Sequence, residues 1–179
     1  MRPPSTFATA RLAAAPPRPE DAPAVLASYA GDPEVTRYLA WKPYERHEPL
    51  AAFFAERAAQ WEKGGSHFAW LLRFKGAATP IGSCGITFDP PGTAMFGYVF
   101  ARNFWGRGLA TEALKFLVDW SLAQPSIHRA WALCHAEHAA SVRVMEQAGL
   151  TREALLRRWH VFPNLGPDPR DCIVCAKVR

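Results

Sequence analysis

Residues 95–120 read MFGYVFARNFWGRGLATEALKFLVDW. The apolar run closing at Phe100 predicts a buried strand over residues 93–100. Gly106 and Gly108 then flank Arg107, and Leu109, Ala113, Phe116, Leu117 and Trp120 recur at helical spacing, which predicts a helix over 109–122. A strand, a glycine-bearing turn and a helix together present a helix N-terminus. Its first N–H groups have no intrahelical partner, and it carries partial positive charge. Gly106 and Gly108 lack a Cβ, so a ligand can approach the backbone closely. Arg102 and Arg107 add formal charge, and the combination suits a phosphate or pyrophosphate. No Gly-Lys-Ser/Thr follows, so this is not a P-loop. Nor is it the dinucleotide fingerprint, which needs a third glycine and an all-parallel sheet. Taken alone, the two glycines can equally make nothing more than a tight turn. Trp105 and the two arginines exceed what a turn requires.

Working outward, three short apolar runs (68–74, 80–88 and 93–100) are separated by KGAAT and DPPG and predict an antiparallel meander. Before them, residues 7–12 predict a first strand. Glu20-Asp21 and Pro23 open a helix that stops at Gly31. Asp32 and Pro33 are the N-cap and first position of a short helix through Leu39. A helix over 48–63 carries Leu50, Phe53, Phe54, Arg57 and Trp61 at helical spacing and ends at Gly64-Gly65. After the central helix come a strand over 129–134, a helix over 139–147 ended by Gly149, and strands over 151–158 and 172–178 around the loop FPNLGPDPRD. The expected fold is α+β: one domain spanning 1–179, with a mixed, mostly antiparallel central sheet of about seven strands flanked by helices.

The composition narrows the function. The chain has 179 residues, of which 49% are hydrophobic and 21% charged, so a packed core is expected and disorder is not. The net charge of +5 is spread along the chain without a basic run, which fits an anionic ligand and does not demand nucleic acid. No apolar window is long enough to span a membrane, and the N-terminus lacks the shape of a secretory leader, so a cytoplasmic location is expected. The wealth of Ala, Pro and Arg points to a GC-rich bacterial genome. The four cysteines do not make a disulfide framework. Cys134, His135 and His138 cluster, and Cys172 and Cys175 form a pair, but no second CxxC completes a zinc pattern, so no metal is expected. Seven tryptophans on a basic chain also fit a nucleic-acid or protein interaction module, although most fall in segments whose periodicity predicts burial.

The 95–120 stretch resembles the acetyl-CoA signature of the GNAT acetyltransferase superfamily, and in particular the branch containing the ribosomal-protein alanine N-acetyltransferases. RPEDAPAVLASYAGDPEVTRYL (18–39), IGSCGITFD (81–89) and HRAWALCHAEHAASVRVMEQAGL (128–150) carry the resemblance along nearly the whole chain. It implies a GNAT-like acyl-CoA N-acyltransferase fold with acetyl-CoA as acetyl donor. It implies that backbone N–H groups from Trp105 to Ala110 cradle the pyrophosphate. Arg102, Trp105, Gly106, Arg107, Gly108, Leu109, Ala110 and Thr111 would be the coenzyme residues at the turn. Val99 and Phe100, at the splayed end of their strand, would meet the pantetheine arm. It places the Ser141 hydroxyl against the leaving sulfur, although the residues alone also allow a helix serine bonding its preceding turn. Two positions depart from the pattern. Asn103 stands where Gln or Arg is common, and His138 stands where Asn is usual, three residues before Ser141.

Acyl transfer from a thioester needs a neutral amine and a proton for the leaving thiolate. An α-amine, with a pKa of roughly 7.7–8.0, is partly neutral at pH 7, whereas a lysine amine near 10.4 leans on a strong base. Glu137, His138, His67, His160 and Asp89 are candidate bases by residue type, and His138 leads by position. Trp41, Lys42, Tyr44, Trp159, His160 and the 162–171 loop are expected to frame the acceptor mouth, with Trp41, Tyr44 and Trp159 touching the acceptor. Cys134 reads as a buried strand residue, which favours direct transfer in a ternary complex over an acyl-cysteine. The expected acceptor is a primary amine, either a protein N-terminus such as that of a ribosomal protein or a small molecule. A homodimer through sheet edges or loops is one assembly open to such a domain. The alternative is a non-catalytic acyl-CoA sensor that keeps the turn and loses the chemistry.

Overall fold

The computed structural model describes residues 1–179. In chain order, β1 (Phe7–Ala8) and β2 (Leu12–Ala15) form a hairpin, followed by a helical stretch around α1 (Ala22–Val25), then α2 (Pro33–Thr36) and α3 (His47–Lys63). The meander is β3 (His67–Phe74), β4 (Gly82–Asp89) and β5 (Thr93–Phe100). After it come α4 (Leu109–Leu122), β6 (Arg129–His135), α5 (Ala139–Gln147), β7 (Thr151–Val161) and β8 (Pro169–Val178). All eight strands make one sheet, ordered β1-β2-β3-β4-β5-β6-β8-β7. Every neighbouring pair is antiparallel except β5 and β6, as an intervening crossover helix demands.

That parallel pair positions the site. Only Thr93, Ala94 and Met95 pair with Arg129, Ala130 and Trp131. Beyond them β5 pairs only with β4, and β6 only with β8. The strands therefore splay from Phe96 onward, and a V opens beside the end of β5.

The single strand expected over 7–12 is in fact a hairpin, which raises the strand count from seven to eight. Thr9 donates its N–H to Leu12 O and accepts the Leu12 N–H on Oγ1, at 2.9 and 3.1 Å, folding residues 9–12 into a tight turn. The short helix begins as read, with Asp32 Oδ1 accepting the Glu34 N–H at 2.9 Å. It stops at Thr36 rather than Leu39, because Thr36 O accepts from Leu39 N at 2.8 Å and from Asn164 Nδ2 at 2.7 Å. β7 runs past Arg158 to Val161, and β8 starts at Pro169 rather than Cys172. A bulge between Leu156 and His160 carries the ladder on. It holds Arg158 at φ 47°, with the Arg158 N–H donated to Asp171 Oδ1 at 2.8 Å.

The larger core lies between the sheet and the α4/α5 layer. α4 buries Leu109, Ala113, Leu114, Leu117, Val118 and Ser121. The expected Phe116 and Trp120 are only partly buried and flank that stripe. Trp70 is fully buried, edge-on to Phe7 and Trp61 at 5.5 and 5.1 Å, and its Nε1–H reaches Pro4 O and Ser5 O. Trp70→Ala is expected to cost about 3–5 kcal/mol of stability, read as a lower denaturant midpoint, because cavity and transfer losses add. A loss under about 1 kcal/mol would contradict this packing.

Candidate coenzyme cleft and catalytic site

The glycine turn adopts the shape an anion site requires. Gly106 and Gly108 have φ of +73° and +71°, the left-handed region open to glycine, and Gly108 is the N-cap of α4 without a side-chain cap. The N–H groups of residues 106–111 meet no acceptor in the protein. The Trp105 N–H, expected to join the cradle, is instead donated to Arg102 O at 3.1 Å. The run of free donors therefore starts one residue later and extends to Thr111. Six successive unpaired donors at the head of a 14-residue helix are an arrangement suited to a strongly charged anion.

A cleft of about 370 Å³ starts at this turn and runs into the V. Val99, Phe100, Trp105, Gly106, Gly108, Leu109, Ala110, Thr111, His138 and Ser141 all line it, so residues far apart in the sequence meet there. Arg102 and Arg107 do not. Arg102 Nε lies 3.4 Å from Asp32 Oδ2, and the Arg107 guanidinium sits 5.4 Å over the Phe104 ring. Trp105 is half exposed and donates its Nε1–H to Phe100 O at 2.7 Å, bracing the turn against the end of β5.

Ser141, in the first turn of α5, is 8% exposed. Its Oγ lies 2.8 Å from Tyr98 Oη, and Tyr98 Oη also donates to Ser141 O at 3.1 Å. Burial pushes the Tyr98 hydroxyl well above the usual tyrosine value, so it stays protonated at neutral pH. Sequence reasoning missed Tyr98. It sits in an apolar strand run, and only the splay shows that it faces α5 across the cleft.

His138 is the N-cap of α5, and its ring stacks on Tyr38 at 4.7 Å. Tyr38 also stacks on His135 at 4.9 Å. Burial, then the neighbouring His135, holds His138 below the usual histidine value of 6.5. Of the candidate bases, only His138 lines the cleft. Glu137 lines a second cavity of about 470 Å³, with His135, Leu165, Arg170 and Asp171. His67 bonds Thr87 on the sheet, Asp89 closes β4, and His160 packs on Phe162.

Of the expected acceptor wall, Trp41 and Tyr44 pack on each other at 5.6 Å, and Trp159 is 59% exposed; none lines the cleft. Asn164 Nδ2 donates to Trp41 O at 2.8 Å, tying the 162–168 loop to the segment carrying Trp41. Burial pushes Cys134 up to about 11, and its thiol does not line the cleft. Cys172 and Cys175 lie along β8, and no group of three or more His, Cys, Asp or Glu is arranged to hold a metal. No helix is long and apolar enough to cross a membrane.

Residues 11–151 match the family model described as "Acetyltransferase (GNAT) domain". A curated relative, "Uncharacterized N-acetyltransferase p20" of Bacillus licheniformis, is 30% identical over 154 residues, covering 85% of each chain. Among solved structures, the Microcin C7 self immunity acetyltransferase MccE, in complex with acetyl-CoA and AMP, superposes with a TM-score of 0.86 at 17% identity, covering 99% of this chain and 98% of its own. RimL, the ribosomal L7/L12 alpha-N-protein acetyltransferase, in complex with coenzyme A, gives 0.83 at 17% identity, with 97% of both chains covered. With the family model spanning most of the sequence, and the splayed strands and glycine turn in place, the chain belongs to the GNAT acetyltransferases, enzymes that take their acetyl group from acetyl-CoA.

Proposed function

We propose that the protein acetylates the α-amine of a peptide or protein by direct transfer from acetyl-CoA, with the pyrophosphate on the N–H groups of residues 106–111. The observation that carries the α-amine is the absence of any carboxylate from the cleft lining, where His138 is the only candidate base. A weak base held below its usual pKa suits an amine that is already partly neutral, with a pKa of roughly 7.7–8.0, better than a lysine near 10.4. The name of the structural neighbour RimL, a ribosomal-protein N-terminal enzyme, supports the same acceptor class. A small-molecule amine of low pKa is the second reading, and the MccE resemblance supports it. The protonated thiol of Cys134, outside the cleft, supports a ternary complex without an acyl-enzyme.

In this reading Ser141 passes its hydroxyl proton to the leaving thiolate, Tyr98 Oη at 2.8 Å replaces it, and the proton that His138 takes from the amine returns through solvent to restore the pair. Coenzyme thiol release with a peptide bearing a free N-terminus, compared with an Nα-blocked lysine peptide, tests the acceptor. Faster turnover of the lysine peptide would overturn the α-amine reading.

The pH dependence follows from His138 and the amine. A base must be unprotonated, and a lowered pKa keeps it so to below pH 6.5. The α-amine must be neutral as well, so activity is expected to rise with pH through the amine's roughly 7.7–8.0, and to fall more steeply at acid pH, below 6.5, where His138 also gains its proton. His138→Asn should lower kcat by about tenfold or more and leave only the amine's limb, without the second, steeper fall. An unchanged steeper fall in the variant would remove His138 from the reaction.

A further inference from the structure

We propose that Arg11, on the β1–β2 hairpin, holds the glycine turn in its diphosphate-binding shape by joining it to Glu112, a positioning role that rests on acetyl-CoA occupying that turn. Glu112 lies in the first turn of α4. A bare carboxylate there would repel a diphosphate at the same helix end. Instead it accepts hydrogen bonds from Thr9 Oγ1, from Arg11 N at 2.8 Å and from Arg11 Nε at 2.7 Å. Burial works to raise its pKa, but these donors and the Arg11 charge outweigh it, so Glu112 is ionised and paired.

The same guanidinium reaches the turn. Its Nη1 donates to Arg107 O at 2.9 Å. Its Nη2 lies 3.6 Å from the position a Cβ on Gly108 would take. Arg107 O and the Gly108 N–H belong to one planar trans peptide and point in opposite directions. Fixing the carbonyl toward Arg11 therefore fixes the direction of the Gly108 N–H. The tight turn over residues 9–12 that splits the expected first strand brings both Thr9 and Arg11 to Glu112.

Calorimetric titration with acetyl-CoA, and with acetyl-pantetheine, which lacks the diphosphate and nucleotide, tests the role. Arg11→Gln is expected to raise the Kd for acetyl-CoA about tenfold, and Arg11→Lys, which keeps the charge but loses the fork, about threefold. Affinity for acetyl-pantetheine should stay within about twofold of wild type, which a general loosening of the cleft would not allow. Glu112→Gln separates positioning from plain charge. Removing a negative charge beside an anion site should by itself tighten binding, whereas loss of Arg11's anchor should weaken it by about threefold or more. Tighter binding in Glu112→Gln, unchanged binding in Arg11→Gln, or equal losses for both ligands would overturn the proposal. Should Arg11→Gln fail to fold, Arg11→Lys and Glu112→Gln decide. No binding of acetyl-CoA by the wild-type protein would instead remove the coenzyme assignment itself, and this role with it.

Discussion

Gly108→Val is expected to raise the Kd for acetyl-CoA at least about a hundredfold while leaving the fold intact. Gly108 sits at φ +71°, a conformation that a β-branched residue adopts only under strain. A valine there must either hold that strain or swing the turn, and swinging it breaks the alignment of the neighbouring N–H donors. Each hydrogen bond to a charged group is worth roughly 1.5–3 kcal/mol, and 1.4 kcal/mol is a factor of ten, so losing one or two accounts for the effect. Gly106→Pro should act alike, since proline removes a donor and fixes φ near −65°, far from the observed +73°. Space is not the cause at Gly106, where a Cβ would meet nothing within 4 Å. Calorimetry with acetyl-CoA checks both, and circular dichroism checks the fold. Unchanged affinity in either folded variant would remove the turn as the pyrophosphate site.

Ser141→Ala should lower kcat by about a hundredfold and leave the Kd for acetyl-CoA within about twofold, because a proton donor to the leaving thiolate acts only as the bond breaks. Tyr98→Phe removes the hydroxyl 2.8 Å from Ser141 Oγ while keeping the ring, and should lower kcat in the same direction by a smaller factor. In the double variant the two losses should not add, since both hydroxyls serve one proton. Steady-state rates beside the titrated Kd separate these effects. Equal turnover by wild type and Ser141→Ala would take Ser141 out of the reaction.

The parts of this molecule legible in the sequence are those whose cause is local. Leu109 to Trp120 declare a helix by their spacing, Asp32 declares an N-cap, and Gly106 and Gly108 declare a turn that a ligand can approach closely. The GNAT resemblance of residues 95–120 extends that local signal to a fold, and the family match over residues 11–151 bears it out. What escaped has a distant cause. The 7–12 segment alternates like a strand, but the Thr9–Leu12 bonds turn it, and Glu112, about a hundred residues on, holds Thr9 and Arg11 there. Tyr98 looks like one more apolar strand residue until the splay of β5 from β6 opens a path to Ser141. Arg102 and Arg107 promised charge to the ligand, but Arg102 pairs with Asp32, Arg107 lies over the Phe104 ring, and neither is among the residues lining the cleft. The backbone of the turn, not its arginines, carries the free donors on which the proposed site rests.

The most direct test of that statement is titration of the wild-type protein with acetyl-CoA, coenzyme A and acetyl-pantetheine. Acetyl-CoA and coenzyme A should both bind with a Kd on the order of micromolar, and acetyl-pantetheine at least about a hundredfold more weakly, because most of the affinity comes from a diphosphate on the free N–H groups of residues 106–111. Equal affinity for the truncated thioester, or no binding of coenzyme A, would contradict the account.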